Sequence, residues 1–504
     1  MFGGNQLIEL VQTAQATVAF SAIRMRELIR RVVRASALYG LANFGTRALN
    51  FLLLPLYTRY LAPSDYGLIT LAEVLAAFLA LVFGLGFDGA MQRLYFQHVD
   101  VPAVLASYLG SALKFAFAAA TLAVLLTLTL GPAILHAFAP AFDIPYRFLA
   151  WAIITAASGL FLQYQLVIFE CQGRPRSYVL LSTAACLLTA GFVVALVVFA
   201  HGGASGMLQG KLVAALIVLV ITLFLFSGAL RSPFRWRYVR ETLAIGTPLV
   251  PHQLMAGGLI AADRFILGHY RDLREVGLYS IAYTFGGVMA LATMSLSQAW
   301  APVYYALAGK KEEGRRAMGR ICSELAIILS AIACFGALIA RDFIAHFLDH
   351  RYLAAGKVVP WIIGAYLAHS MFAMFTLAAM QAKQTRWLML ASFVALVANT
   401  VLNFALIPRW GMYGAAYATV AAYVVEALVM YFIAQHLYPL RYDLPRILAA
   451  CGAFLIVLAA TQLSWSENHR MLAMSLAAVL CFGLLAGLGL KHASSLVRLP
   501  REVT

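Results

Sequence analysis

Apolar stretches of roughly 20 residues recur from one end of this chain to the other, separated by short polar segments. Stretches of that length are long enough to cross a bilayer as helices. We predict fourteen spans, at 36–57, 66–88, 106–130, 147–168, 179–200, 207–229, 242–267, 276–300, 320–340, 358–381, 388–407, 415–434, 447–463 and 471–490. The pattern therefore predicts an all-α polytopic membrane protein.

The two halves of the chain repeat each other. Ser64–Leu68, after span 1, resembles Arg274–Leu278, after span 7, at an offset of 210 residues, and Arg176 matches Arg386 at the same offset. Gly203 and Gly206 before span 6 match Gly411 and Gly414 before span 12. Six spans separate the copies, which predicts two six-helix lobes in parallel orientation.

We accordingly expect four parts. Residues 1–34 form an amphipathic or disordered N-terminal segment, 35–230 an N-terminal lobe, 231–440 a C-terminal lobe, and 441–504 two further spans with a cytoplasmic tail. Residues 1–34 do not resemble a secretory signal, because their positive charges follow the apolar stretch.

The composition agrees with a membrane protein: 63% of the residues are hydrophobic and 12% are charged. The net charge of +16 does not require a nucleic-acid partner, since most Lys and Arg residues fall in the segments that are cytoplasmic if the N-terminus is inside. This asymmetry predicts that both termini are cytoplasmic. The six cysteines predict no disulfide, and we expect no metal or cofactor, since neither a Cys/His cluster nor a P-loop is present.

Four cations interrupt the predicted spans: Arg47, Lys114, Lys211 and Arg264. A charge at membrane depth is costly, so it normally faces a protein interior or a watery cavity and marks a substrate path. We therefore predict an anionic substrate. Snorkelling is the alternative for Lys114 and Lys211, and snorkelling or pairing with an acid is the alternative for Arg264. The alternative for Arg47 is a structural ion pair between helices, with Glu73 as the partner.

Polar residues and helix breakers accompany these cations. Tyr39, Asn43, Arg47 and Asn50 share one face of span 1, which predicts a stripe that faces inward. Span 7 contains Pro248 and Pro251, which predict a hinge, and His252 and Gln253 follow them as candidate cavity residues.

Three acids lie deep enough in the spans to carry a coupling proton: Glu73, Asp263 and Glu426. The alternative for each is structural pairing with a cation. His369 and His252 titrate near neutral pH in water, although a lone histidine in a span is more often a packing residue.

Several strings resemble those of Wzx-type polysaccharide flippases, in the multidrug/oligosaccharidyl-lipid/polysaccharide exporter superfamily. They are LYTRYLAPSDYG at 56–67, GLGFDGA at 84–90 with Arg93 and Tyr95, DRF at 263–265 with VGLY at 276–279, QAWAP at 298–302, and Asn399, Asn403, Pro408, Gly411 and Gly414. The resemblance covers most of the first twelve spans, and the order of the motifs is its most specific part.

The resemblance implies a V of two lobes in a bacterial inner membrane. The substrate it implies is an undecaprenyl-pyrophosphate-linked oligosaccharide, moved from the cytoplasmic to the periplasmic leaflet by alternating access for O-antigen, capsule or exopolysaccharide synthesis. Membrane lipids, a polysaccharide polymerase and export proteins are the partners it implies, with an ion gradient as the energy source.

Other functions stay open at this point. A multidrug exporter favours an acidic cavity, whereas this chain has more cations than acids in its spans. A peptidoglycan-precursor flippase also has a cationic cavity. A membrane sugar polymerase or ligase normally needs a large outer domain, and the predicted outer loops here are short. A scaffold in an assembly complex would tolerate loss of the cavity charges.

Overall fold

A computed structural model of the chain describes residues 38–463, apart from 41, 43, 139–143, 309–310 and 385, together with 475–476, 478–479 and 481–483. The predicted N-terminal segment 1–34 lies outside these residues, as does most of the predicted span 14. Predicted span 1 is described from residue 38 onward, without 41 and 43.

The described part of the first lobe is a bundle of helices. Its elements are α1 (44–52), α2 (Leu54–Tyr60), α3 (Pro63–Gly84), α4 (Phe87–His98), α5 (Pro102–Phe138), α6 (Tyr146–Cys171), α7 (Pro175–Val194), which continues as a π-helical turn (Ala195–Phe199), α8 (Gly203–Leu225) and the short α9 (Ser227–Leu230). Proline at the first turn starts α3 and α7, where a missing backbone donor costs least.

The chain continues into the predicted second lobe. Its elements are α10 (Trp236–Gly246), a 3-10 turn (Thr247–Leu249), α11 (Val250–Tyr270), α12 (Leu273–Ala308), α13 (Lys311–Phe347), a 3-10 helix (His350–Lys357), α14 (Val359–Gln381), α15 (Arg386–Trp410), α16 (Met412–Leu437) and α17 (Leu444–Gln462). Helices satisfy their own backbone groups, which the hydrocarbon requires.

The all-α membrane fold is confirmed. Within the described residues, eleven helices are long and apolar enough to cross a membrane, and α10 with α11 make a bent twelfth. These correspond to predicted spans 2 to 13, so the count of fourteen stays a prediction. Helices α5, α12 and α13 continue past predicted spans 3, 8 and 9 at both ends.

The largest apolar cluster is formed mostly by the second lobe and also contains Leu54 and Leu71 of the first. In the second lobe α14 and α15 both pack against α16, and in the first lobe α6 and α7 both pack on α8. The largest contact between the lobes joins α3 to α12. The interior between α1 and α12 remains open, and Arg47 lies on its wall.

Candidate functional site

A cavity of about 520 Å³ lies between α1 and α12. Its walls are mostly apolar, with three polar side chains among them: Arg47 and Asn50 from α1, and Thr284 from α12. An apolar pocket with a few convergent polar groups is the usual form of a ligand site. The structure thus brings together two of the four polar residues predicted on the face of span 1.

Arg47 is the charged group of this cavity. Its side chain is exposed, and no hydrogen bond or ion pair joins it to another residue in the part of the chain that the structure describes. Tyr366 of α14 lies within electrostatic range of both Arg47 and Arg264. A guanidinium whose donors are not engaged can bind a phosphate or carboxylate with two parallel hydrogen bonds.

Lys211 and Glu73 form an ion pair between α8 and α3. The Lys211 Nζ lies 2.5 Å from Oε1 of Glu73, and their side chains are 23% and 36% exposed. Structural pairing, the alternative for Glu73, therefore describes its position, and Lys211 is its partner within the first lobe. The partner of Glu73 is Lys211 rather than Arg47.

Lys114 of α5 is hydrogen-bonded to the segment that connects the two lobes. Its Nζ donates to the carbonyl oxygen of Ser232 at 2.7 Å. Ser107, earlier on α5, donates to the carbonyl oxygen of Pro233 at 3.2 Å, and the backbone N–H of Arg235 donates to Ser111 at 2.9 Å. The structure thus places Lys114 on the interlobe linker and not among the residues that line the Arg47 cavity.

Arg264 and Asp263 are buried beside each other on α11. The Asp263 carboxylate is fully buried and lies 3.5 Å from Nη1 of Arg264. It also accepts a hydrogen bond from Tyr279 at 2.5 Å, and the guanidinium carbon of Arg264 lies 4.2 Å from the centroid of the Tyr283 ring. Tyr279 in turn contacts Thr419 at 3.1 Å. Arg264 does not snorkel to a surface; it is held inside the second lobe by an acid and two aromatic rings.

Glu426 lies in a second polar network of the same lobe. Its side chain is 2% exposed and accepts hydrogen bonds from Ser392 of α15 at 2.9 Å, while Nδ1 of His369 on α14 lies 2.9 Å from the other carboxylate oxygen. Thr419, Tyr423 and Glu426 are all buried on one side of α16, as their spacing predicts.

The remaining candidate residues are dispersed. Tyr39 packs edge-on against Tyr178 of α7, with 4.9 Å between ring centroids, and does not line the Arg47 cavity. Gln253 lies 3.5 Å from Asp88 of α4 and so joins the two lobes. Asn43 lies outside the described residues, and for His252 the structure describes the backbone alone.

Pro248 and Pro251 lie where span 7 bends. Pro248 is inside the 3-10 turn Thr247–Leu249, and Pro251 is in the first turn of α11. At this point the axis of the span bends by 46°. Proline lacks the N–H that would continue the helical ladder, which accounts for a break at this point. Whether the break moves during transport stays a prediction.

A contact between the lobes on the predicted outer side was not predicted from the sequence. Arg351, in the 3-10 helix after α13, donates to the carbonyl oxygens of Thr58 and Arg59, both at 3.3 Å. The hydroxyl of the fully buried Tyr352 donates to the carbonyl oxygen of Leu61 at 3.0 Å. We call Arg351 and Tyr352, with these three carbonyls, the outer latch. Both donors lie in a loop without periodicity, so the sequence carries no signal for it.

Asp349 orients the arginine of the outer latch. Its carboxylate accepts from the side chain of Arg351 at 2.8 Å and from the backbone N–H of Arg351 at 2.9 Å. These two hydrogen bonds hold the pKa of Asp349 below its usual value. Asp349 is therefore ionised at neutral pH.

The four intramembrane cations thus fall into two groups. Lys114, Lys211 and Arg264 each bind an acceptor of the protein itself, whereas Arg47 faces the cavity with no such acceptor among the described residues. The described residues contain no group of three or more His, Cys, Asp and Glu side chains arranged to hold a metal ion. The site can therefore offer a cation and apolar walls to an amphipathic anion.

This bundle and its charged cavity define a multi-pass membrane protein of the flippase or exporter class. The family profile described as "Polysaccharide biosynthesis protein" matches residues 56–357, more than half of the chain. The chain belongs to this polysaccharide biosynthesis family, and the resemblance to polysaccharide flippases is confirmed. Family and fold indicate a transporter or flippase rather than an enzyme.

Individual relatives agree with this assignment. Protein 1 of the Lsg locus of Haemophilus influenzae is 23% identical over 291 residues, which are 56% of this chain and 68% of that protein. The fold is similar to that of the lipid II flippase MurJ in an inward closed conformation, with a TM-score of 0.70, 14% identity, and coverage of 92% of this chain and 100% of that one. It is also similar to the Vibrio cholerae MATE transporter VcmN, with a TM-score of 0.55, 11% identity, and coverage of 81% and 96%.

Proposed function

We propose that this protein moves an undecaprenyl-pyrophosphate-linked oligosaccharide from the cytoplasmic to the periplasmic leaflet by alternating access of its two lobes. The observation that carries the proposal is the cavity of Arg47. An anionic headgroup on a lipid needs a cation beside apolar walls, and the cavity between α1 and α12 supplies both.

Arg47 contacts the pyrophosphate in this proposal. Asn50 and Thr284 supply further hydrogen bonds, and the apolar wall lies beside the first isoprene units. Lys114, Lys211 and Arg264 act on the substrate indirectly, since Lys211 and Arg264 are paired with acids and Lys114 already donates to a backbone carbonyl oxygen. The 46° bend at Pro248 and Pro251 gives the lobes a place to flex.

The wider assignment follows from the same proposal. The protein lies in a bacterial inner membrane with both termini in the cytoplasm and works by ion antiport. It provides substrate to a polysaccharide polymerase and export proteins for O-antigen, capsule or exopolysaccharide. Reactivity of single cysteines at 232 and 350 toward impermeant maleimides in whole cells tests the orientation, because the proposal exposes residue 350 outside and residue 232 inside.

Binding of undecaprenyl pyrophosphate to purified protein in nanodiscs tests the role of Arg47. Arg47→Ala should weaken binding by about tenfold or more, since a hydrogen bond to a charged group contributes ~1.5–3 kcal/mol. Arg47→Lys should retain an intermediate affinity, because a lysine keeps the charge and loses the fork. Arg237→Ala, at a side chain that is 84% exposed, is the matched control. Equal affinity of Arg47→Ala and the wild type would contradict the proposal.

A second candidate has support from the fold. The chain matches the lipid II flippase MurJ over 92% of its length, and lipid II presents a pyrophosphate of the same kind. Depletion in the native host separates the two: loss of surface polysaccharide supports the proposed function, and cell lysis supports a peptidoglycan precursor.

A further inference from the structure

His369 connects the buried carboxylate of Glu426 to a more exposed side of α14. Its side chain is 34% exposed, whereas that of Glu426 is 2% exposed. Nδ1 of His369 contacts the carboxylate at 2.9 Å, and no described residue bonds its other ring nitrogen. Tyr366, one turn earlier on the same helix face, packs on Gly286 of α12 and lies within electrostatic range of Arg47. A proton can therefore reach Glu426 from this side through the imidazole.

The surroundings of the pair contain few charges. Tyr283 of α12, Tyr366 of α14, Ser392 of α15 and Tyr423 of α16 are the polar groups around it. On α11, Asp263 lies within electrostatic range of Tyr423 but is bound to Arg264. Helices α13 and α17 also contact α14, but none of their described side chains bonds to His369 or Glu426. Glu324 of α13 and Arg446 of α17 lie 3.9 Å from each other.

The partners of the three candidate acids differ in chemistry. Glu73 is paired with a lysine and Asp263 with an arginine, whose ammonium and guanidinium groups are hydrogen-bond donors only. Glu426 is paired with a histidine, whose ring nitrogens can each donate or accept a proton. Of these three acids, Glu426 is therefore the one whose neutralisation depends on a mobile proton.

The charge balance of the pair links its proton to the conformation of the lobe. With one proton the pair is neutral overall, either as imidazolium and carboxylate or as imidazole and carboxylic acid. After the proton leaves through His369, a carboxylate stays buried without a counter-ion, which costs several kcal/mol in a low-dielectric interior. Release is therefore favoured in a conformation that admits water or another cation to α14 and α16.

We propose that His369 and Glu426 form a site that binds and releases one proton, and that this site couples transport to a proton gradient. The proton-binding part stands on the geometry of the second lobe alone, while the coupling part rests on the proposed flippase function. Proton entry gives the neutral pair, and proton loss gives the buried anion that only an opened lobe stabilises.

Infrared difference spectra between pH 8 and pH 5 test proton binding without any substrate. In lipid nanodiscs, wild-type protein should show bands of a protonating carboxyl or imidazole that are lost in both Glu426→Gln and His369→Gln. His436→Gln and Glu312→Gln, at exposed positions, are the matched controls and should keep these bands. Ser392→Ala retains both members of the pair and removes the hydrogen bond to Glu426, so it should shift the pH midpoint of these bands. This variant replaces Glu426→Gln or His369→Gln in the test if either of them fails to fold. Unchanged bands in the folded variants would overturn the site.

Flux in proteoliposomes tests the coupling. With a fluorescent undecaprenyl-pyrophosphate-linked sugar as the probe, Glu426→Gln and His369→Gln should lose accumulation driven by a pH gradient and keep exchange at equilibrium. Gradient-driven accumulation that persists in both variants would overturn the coupling role. If wild-type protein does not move the probe at all, the proposed function fails, and the infrared spectra still decide whether the pair binds a proton.

Discussion

Gly67 and Gly277 face each other's helices in a reciprocal contact. A Cβ atom on Gly67 would overlap the carbonyl oxygen of Leu273, and a Cβ atom on Gly277 would overlap the carbonyl oxygen of Pro63. The two glycines are 210 residues apart in the sequence, and so are Pro63 and Leu273, which carry the two carbonyls. This distance is the offset of the predicted repeat. The contact is thus symmetric, and it supports the parallel repeat.

Alanine at either glycine should separate α3 from α12. Because backbone and not a flexible side chain occupies the space, each of Gly67→Ala and Gly277→Ala should destabilise the protein by about 1–3 kcal/mol, to a similar extent. Thermal unfolding in detergent measures this. Gly452→Ala, where a Cβ meets nothing within 4 Å, is the control. A melting temperature that changes in one glycine variant and not in the other would contradict the symmetry.

Lys211 and Glu73 should show strong coupling in a double-mutant cycle. Removing either partner leaves a charge at membrane depth, so Lys211→Met or Glu73→Leu alone should cost about 1–3 kcal/mol, less than for a fully buried pair. The double variant should be closer in stability to the wild type than either single one. Additive losses would show that the pair does not stabilise the first lobe.

The outer latch should slow the opening of the lobes on its side. Tyr352→Phe removes the hydrogen bond to Leu61, and Arg351→Gln removes those to Thr58 and Arg59. Either change should increase the rate at which an impermeant maleimide, added from that side, modifies a cysteine introduced at Thr284 in a background without other cysteines. Equal rates with and without the latch would contradict its role.

The outer latch should also weaken in acid. The pKa of Asp349 is lowered by its hydrogen bonds with Arg351, so its contribution to stability is present above the unfolded value of about 4 and is lost as the pH falls through the lowered value. The rate of cysteine modification in the wild type, divided at each pH by the rate of a freely accessible control cysteine, should rise only at such acidic pH. In the Asp349→Asn variant, cysteine modification should already be fast at neutral pH, and it should not accelerate further in acid.

The sequence predicts the spans well because hydropathy depends on local composition. It is less successful at helix ends, since α13 begins at Lys311, in a charged stretch before predicted span 9. It also predicts that Thr419, Tyr423 and Glu426 share a helix face, which is a matter of spacing alone.

The partners of the charged residues could not be predicted. Glu73 and Lys211 are 138 residues apart, and Glu426 and His369 are 57 residues apart on helices that also have other neighbours. Their pairing depends on how the bundle packs. The division between Arg47 and the three paired cations, on which the proposed function depends, is therefore a property of the tertiary structure.

The attachment of residues 232–235 to α5 has a mechanical consequence. Hydrogen bonds with Ser107, Ser111 and Lys114 attach this connecting segment to the first bundle. Helix α10 follows the segment and packs on α4 and α5. Gly246 then meets Gly86, whose φ of 65° suits a residue without a side chain. We therefore expect the whole stretch up to Gly246 to move with the first bundle, and we predict that the pivot for a rigid-body rotation lies in the few residues from Thr247 to Pro251.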